Sequence, residues 1–195
     1  MTPLKFTSRV IPRVSELVKG GGVIVFPTDT VYGIGCDPMN IDSVRRVFKA
    51  KQRESRPLPV LCDSLESARK LVTFNGTALD LARRFWPGAL TIVAPLKTMV
   101  PFELHQGSNE LGVRGPDYAL CVELIRACGG CLTGTSANLS GERPFTTARS
   151  ALLGIGTHMD LVLDGGELTG VPSTVVRVSG REIIVLRRGP VGVGD

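Results

Sequence analysis

The stretch "GGVIVFPTDTVYGIGCDP", residues 21–38, decides how this chain is read. Val23-Ile24-Val25-Phe26 is an unbroken apolar run of strand-forming residues, the pattern of a buried strand. It stops at Pro27, and Thr28-Asp29-Thr30-Val31-Tyr32-Gly33 follows at once. A chain that leaves its core and immediately presents hydroxyls, a carboxylate and a phenol is building either a turn or a site.

Working outward, strand and helix signals alternate. Pro12–Lys19 reads as a short helix stopped by Gly20-Gly21-Gly22. Asn40 caps a helix in which Ile41, Val44, Val47 and Phe48 recur at helical spacing, and Lys51-Gln52-Arg53 lies at its end. Leu58–Cys62 reads as a strand. Asp63 and Glu66 have capping-box spacing for a helix to about Val72, and a second helix runs from Thr77 to Phe85 before Pro87-Gly88. Strands are expected at 90–94, 111–114, 132–133 and 161–163, with helices opening at Pro116-Asp117 and near Thr146. Ser179-Gly180 between two apolar runs marks a hairpin joining 174–178 to 182–187. Strands alternate with helices early and pair late, so we expect one α/β domain, a twisted mixed β-sheet packed by helices.

Composition bounds the function. A chain of 195 residues with 43% hydrophobic content can bury a real core. Its 23 Lys and Arg against 18 Asp and Glu give a net charge of +5, which suits a nucleotide or RNA partner and equally suits ordinary solubility. No 18-residue apolar run is present, so no membrane span is expected. Five cysteines without a secretory signal read as reduced thiols, and the expected location is the cytoplasm. Cys128-Gly-Gly-Cys131 has no second pair that would complete a zinc site, and the two histidines, His105 and His158, have no ligand-spaced neighbour. There is no phosphate-loop motif, and Gly33-x-Gly35 lacks the third glycine of a dinucleotide fingerprint.

The chemistry lies in five polar stretches at strand ends: "FPTDTVYGIG" (26–35), "KAKQRESRP" (49–57), "LGVRGPD" (111–117), "LTGTSANLSG" (132–141) and "GVPSTVV" (170–176), the last leading to "VLRRGP" (185–190). They bring hydroxyls, an Asn and the cations Lys51, Arg53, Arg114 and Arg187, the residue types that grip phosphate and carboxylate oxygens. Each stretch taken singly also has an ordinary reading as a cap, a turn or a solvated helix end.

In series, P-T-D-T-V-Y-G, K-x-R, V-R-x-P, T-S-A-N-x-S-G, P-S-T-V and L-R closely resemble the YrdC family of threonylcarbamoyl-AMP synthases, from about residue 8 to 190. The resemblance implies a YrdC-like domain over 8–190, with no second domain, whose sheet curves around a concave basic cavity. It implies a nucleotidyltransferase that condenses ATP, L-threonine and bicarbonate to threonylcarbamoyl-AMP and pyrophosphate, with Mg²⁺ arriving on ATP and no organic cofactor. A downstream transferase would then modify the adenosine next to the anticodon in tRNAs reading A-starting codons. A weak affinity for tRNA or double-stranded RNA is a further implication.

By motif, Thr30, Arg114 and Ser173 resemble threonine-binding positions. Lys51, Arg53, Ser136, Asn138 and Arg187 resemble ATP-binding positions, with Lys51 and Arg53 the catalytic pair. No metal-ligand motif stands out. Tyr32 would wall the pocket, while Gly33 and Gly35 would let the backbone pass close to it. The segment "ESRPLPVLC" is about one residue shorter than a common family version. Arg56 is an approximate match for a polar ATP contact, and Leu61 or Cys62 stands near an absent histidine. Glu110 occupies a place where the family often has a threonine. A pure RNA-binding module would want more than 5% aromatic residues. The related domain of hydrogenase-maturation proteins would bring zinc-finger cysteines that are absent here.

Overall fold

A computed structural model of the protein describes residues 1–52 and 56–193. Its strands are β1 (Leu4–Lys5), β2 (Ile24–Pro27), β3 (Tyr32–Gly35), β4 (Val60–Cys62), β5 (Leu90–Pro95), β6 (Glu110–Arg114), β7 (Cys131–Thr133), β8 (Thr135–Ser136), β9 (Leu161–Asp164), β10 (Thr174–Ser179) and β11 (Glu182–Arg187). Its helices are α1 (Ile11–Lys19), α2 (Ile41–Lys51), α3 (Leu65–Leu71), α4 (Gly76–Phe85), α5 (Phe102–His105), α6 (Ala119–Ala127) and α7 (Ala148–Ile155). The fold is mixed α/β as expected, but its strands divide into two sheets. One has the order β1-β9-β2-β3-β8 and the other β11-β10-β5-β6-β4-β7. Both mix parallel and antiparallel pairs.

The apolar run is continuous because both faces of β2 are covered. Val25 packs with Val44 and Val47 of α2 and Ile155 of α7, whereas Ile24 and Phe26 pack with Val14 and Val18 of α1 and Leu124 of α6. A third cluster joins Leu81 of α4 to Leu90 and Ile92 of β5 and Val176 of β10. In β5 the intervening Thr91 and Val93 therefore face the other way, toward the space between the sheets.

Several local readings are revised. Residues 32–35, expected as pocket-lining loop, form β3, which pairs antiparallel with β2. Tyr32 does not wall a pocket: it is fully buried, and its hydroxyl donates to the Gly166 carbonyl at 2.7 Å. Gly35 answers to packing, since a Cβ there would lie 2.6 Å from the Phe26 ring and 2.9 Å from Leu132. Ser64 caps α3 by accepting from the Ser67 amide, and Asp63 instead accepts from the Ser67 hydroxyl. Asn40 caps α2 as expected, accepting from the Ser43 amide at 3.0 Å. Cys131 lies opposite Cys62 across β4 and β7, sulfurs 4.0 Å apart, while Cys128 packs in the α1–α6 core.

The sheets are joined where β7 runs into β8. Gly134 is the single residue between them, and a Cβ on it would meet Leu61 at 2.3 Å. Beside this crossing, Lys51 closes α2 from the inside. Its side chain is buried, and its ammonium donates to the carbonyls of Ser136 and Asn138 and to Asn138 Oδ1. It is not the solvated helix end that a Lys in the last turn suggests.

Two outcomes follow from this packing. Gly35→Ala should lower stability by about 1–3 kcal/mol through overpacking, whereas Gly33→Ala meets only ordinary contacts at 3.5 Å and should fold normally. Lys51→Met should cost about 1–3 kcal/mol by stranding buried acceptors. Urea titrations measure all three, and a wild-type midpoint for Lys51→Met or Gly35→Ala would contradict the packing described.

Candidate active site

Between the sheets lies a cavity of about 480 Å³, a size suited to a small organic ligand. The β2–β3 turn, the β7–β8 crossing, β5, β6 and the β10–β11 hairpin all contribute to its wall. Among the described residues, four arginines (56, 114, 177 and 187) line it against one carboxylate, Glu110. The expected concave basic cavity is therefore present, and its charge calls for anions.

One wall is built on the quoted stretch. Thr28 spends its hydroxyl proton on the Val31 carbonyl at 2.7 Å and accepts from the amides of Thr30 and Val31, which fixes the turn. Thr30 Oγ1 lies 3.0 Å from Thr28 Oγ1 and accepts from Arg114 Nη1 at 3.0 Å. Arg114, at the end of β6, is 5% exposed. Its guanidinium also pairs with Asp29 and donates from Nε to the Gly88 carbonyl at 2.9 Å.

Farther along the six-stranded sheet, β11 carries Arg187. It donates from Nε to the Ser173 carbonyl at 3.0 Å and from Nη2 to Ser173 Oγ at 3.1 Å. Ser173 Oγ lies 2.9 Å from Thr91 Oγ1. Burial, and secondarily the like charge of Arg114, lower the Arg187 pKa from its ordinary value. Arginine stays protonated in proteins, so Arg187 presents a positive charge to the cavity. At the mouth, Glu110 pairs with Arg177 at 2.8 Å. The carboxylate that would have faced a polyphosphate is thereby offset.

Of the residues singled out by sequence, Thr30, Arg114, Ser136, Ser173 and Arg187 come together on the cavity wall. Arg56 and Leu61 join them. Lys51 and Asn138 do not line it. Asn138 has its amide group filled from within: Oδ1 accepts from Ser136 Oγ and Lys51, and Nδ2 donates to the carbonyls of Leu139 and Glu142. Lys51 and Asn138 shape the 136–142 loop from behind. Arg53 lies outside the described residues. Sequence reading missed Thr91 and Arg177. Both sit in strands whose alternation puts every second residue on the cavity side, and a hydroxyl or cation at such a position was the available signal. Among the described residues no group of three or more His, Cys, Asp or Glu could hold a metal ion, and no helix is long and apolar enough to cross a membrane.

Residues 16–189 match the Sua5/YciO/YrdC family model, which carries the description "Telomere recombination". A threonylcarbamoyl-AMP synthase of Halorhodospira halophila is 34% identical over 92% of this chain and 94% of its own length. A threonylcarbamoyl-AMP synthase of Pyrococcus abyssi is 34% identical over 88% of this chain, and the match spans about half (52%) of that protein. The crystal structure of P. abyssi Sua5 complexed with L-threonine superposes with a TM-score of 0.92 at 31% identity, covering 97% of this chain and 58% of that one. The fold, the cavity between its sheets and these matches agree: the chain belongs to the Sua5/YciO/YrdC family.

Proposed function

We propose that this chain is an L-threonylcarbamoyladenylate synthase, with residues 8–190 as its working domain. The observation that carries the reading is that two arginines, the buried Arg114 and the more exposed Arg187, line one cavity of about 480 Å³. Two anionic groups on two substrates need two such partners. The threonylcarbamoyl-AMP synthases among its relatives, and the L-threonine held by P. abyssi Sua5, support the choice of substrates.

In this reading the threonine carboxylate meets Arg114, and its amine or hydroxyl pairs with the Thr30 hydroxyl. The amine adds to bicarbonate to give a carbamate with loss of water. A carbamate oxygen then attacks the α-phosphorus of ATP, and pyrophosphate leaves. The residues act by placing reactants and neutralising charge, with no protein nucleophile. Arg187, Arg56 and the Ser136 hydroxyl face the nucleotide, with Arg53 beside them by motif. Lys51 acts at one remove, by fixing the loop that carries Ser136. Mg²⁺ would come bound to the phosphates. The product is suited to a transferase that acts on tRNA, with RNA affinity drawn from the basic surface. All five cysteines are free thiols, which supports a cytoplasmic setting.

Two measurements test this. With ATP, Mg²⁺, threonine and bicarbonate together, mass spectrometry should find the adenylate, and pyrophosphate release should need threonine and bicarbonate both. ATP cleavage at full rate without either would overturn the mechanism. Among amino acids, kcat/KM should fall from threonine to serine to valine. Losing one methyl costs about 1–3 kcal/mol, and losing the hydroxyl also leaves a buried partner unpaired. Valine matching threonine would mean that Thr30 and Ser173 do not read the hydroxyl.

A further inference from the structure

Arg114 and Arg187 share a cavity but are not electrostatic equals. Arg114 already has a counter-charge, the carboxylate of Asp29, with side-chain exposures of only 6% and 13% for the two partners. Asp29 lies behind the arginine and does not line the cavity. Arg187 is held by one hydroxyl and one carbonyl, both of Ser173, and among the described residues it has no carboxylate within ion-pairing distance.

Donor counting sharpens the difference. A guanidinium has five N–H groups. On Arg114 the Nε proton goes to Gly88, one Nη1 proton to Thr30 and one Nη2 proton to Asp29. Two remain, one on each terminal nitrogen, which matches the two oxygens of a planar carboxylate. Any anion binding there also feels the negative charge of Asp29 through poorly screened protein. A monoanion feels that repulsion once, and a group with two or more charges feels it proportionally more. Arg187 itself has no paired carboxylate among the described residues, and Glu110, which lines the same cavity, is paired with Arg177.

We infer that Asp29 is a specificity-determining residue that sorts anions: it tunes Arg114 for a singly charged carboxylate and leaves the polyphosphate to Arg187. Only the identity of the two ligands rests on the synthase reading. The sorting rests on the ion pair itself. A residue that merely supported the fold would affect both ligand classes alike, whereas a charge filter affects them unequally.

The test uses Asp29→Asn, which keeps the shape and removes the charge. Titration calorimetry with L-threonine and with inorganic pyrophosphate is compared between the wild type and the variant. Pyrophosphate affinity should rise about tenfold or more, threonine affinity should change much less, and pyrophosphate should begin to displace threonine. Unchanged or weaker pyrophosphate binding in a folded variant overturns the inference, as does an equal change for both ligands. If the variant does not fold, the wild type decides: 3-hydroxybutyrate should displace threonine and inorganic phosphate at equal concentration should not. Displacement by phosphate overturns the sorting. If the wild type binds no threonine but Asp29→Asn still gains pyrophosphate affinity, the synthase reading fails and the sorting stands. If the wild type makes the adenylate and Asp29→Asn leaves pyrophosphate affinity unchanged, the opposite holds.

Discussion

A guanidinium taken out of water has to be met on every side, and in this protein that requirement ties the two sheets together. Arg114 belongs to the six-stranded sheet, while Asp29 and Thr30 belong to a turn of the five-stranded one. Gly88, from the turn before β5, supplies the third partner. Stranding one member of such a buried set costs several kcal/mol, so the three segments constrain one another although they lie far apart in the chain. The turn after β2 cannot drift without exposing a charge, and the cavity keeps its width for the same reason.

Much of this architecture was legible from sequence because it rests on local rules. The Val23–Phe26 run, the Asn40 cap and the Ser179-Gly180 hairpin each declare themselves within a few residues. What was not legible depended on distant partners. Tyr32–Gly35 reads as loop because two of its four residues are glycines, and only the Phe26 ring and Leu132 explain why Gly35 must be one. β8 and α5 are too short to carry a period. Asp63 has the right spacing for a cap, yet its neighbour Ser64 does the capping, a choice of one residue that composition cannot make.

The candidate site divides along the same line. Strand-end residues such as Thr30, Arg114 and Arg187 reached the cavity because a strand delivers its end to a defined place. Lys51 and Asn138 carry the right chemical groups and sit in the right motifs, yet among the described residues they do not line the cavity, and the Lys51 ammonium donates to the Asn138 carbonyl and Oδ1. Side-chain direction separates a residue that touches a ligand from one that supports it. In a strand, direction follows from parity. At a helix end or in a loop it does not.

Lining one cavity with two arginines from different strands has a consequence for departure. A molecule that reaches only one arginine leaves as soon as a single contact breaks. A molecule long enough to touch both is bivalent: when one end lets go, the other keeps it within reach, and the broken contact re-forms before escape. The cavity would therefore retain a molecule that spans both arginines longer than one that reaches only one of them. Without any moving lid, its geometry delays the loss of whatever has been assembled across it.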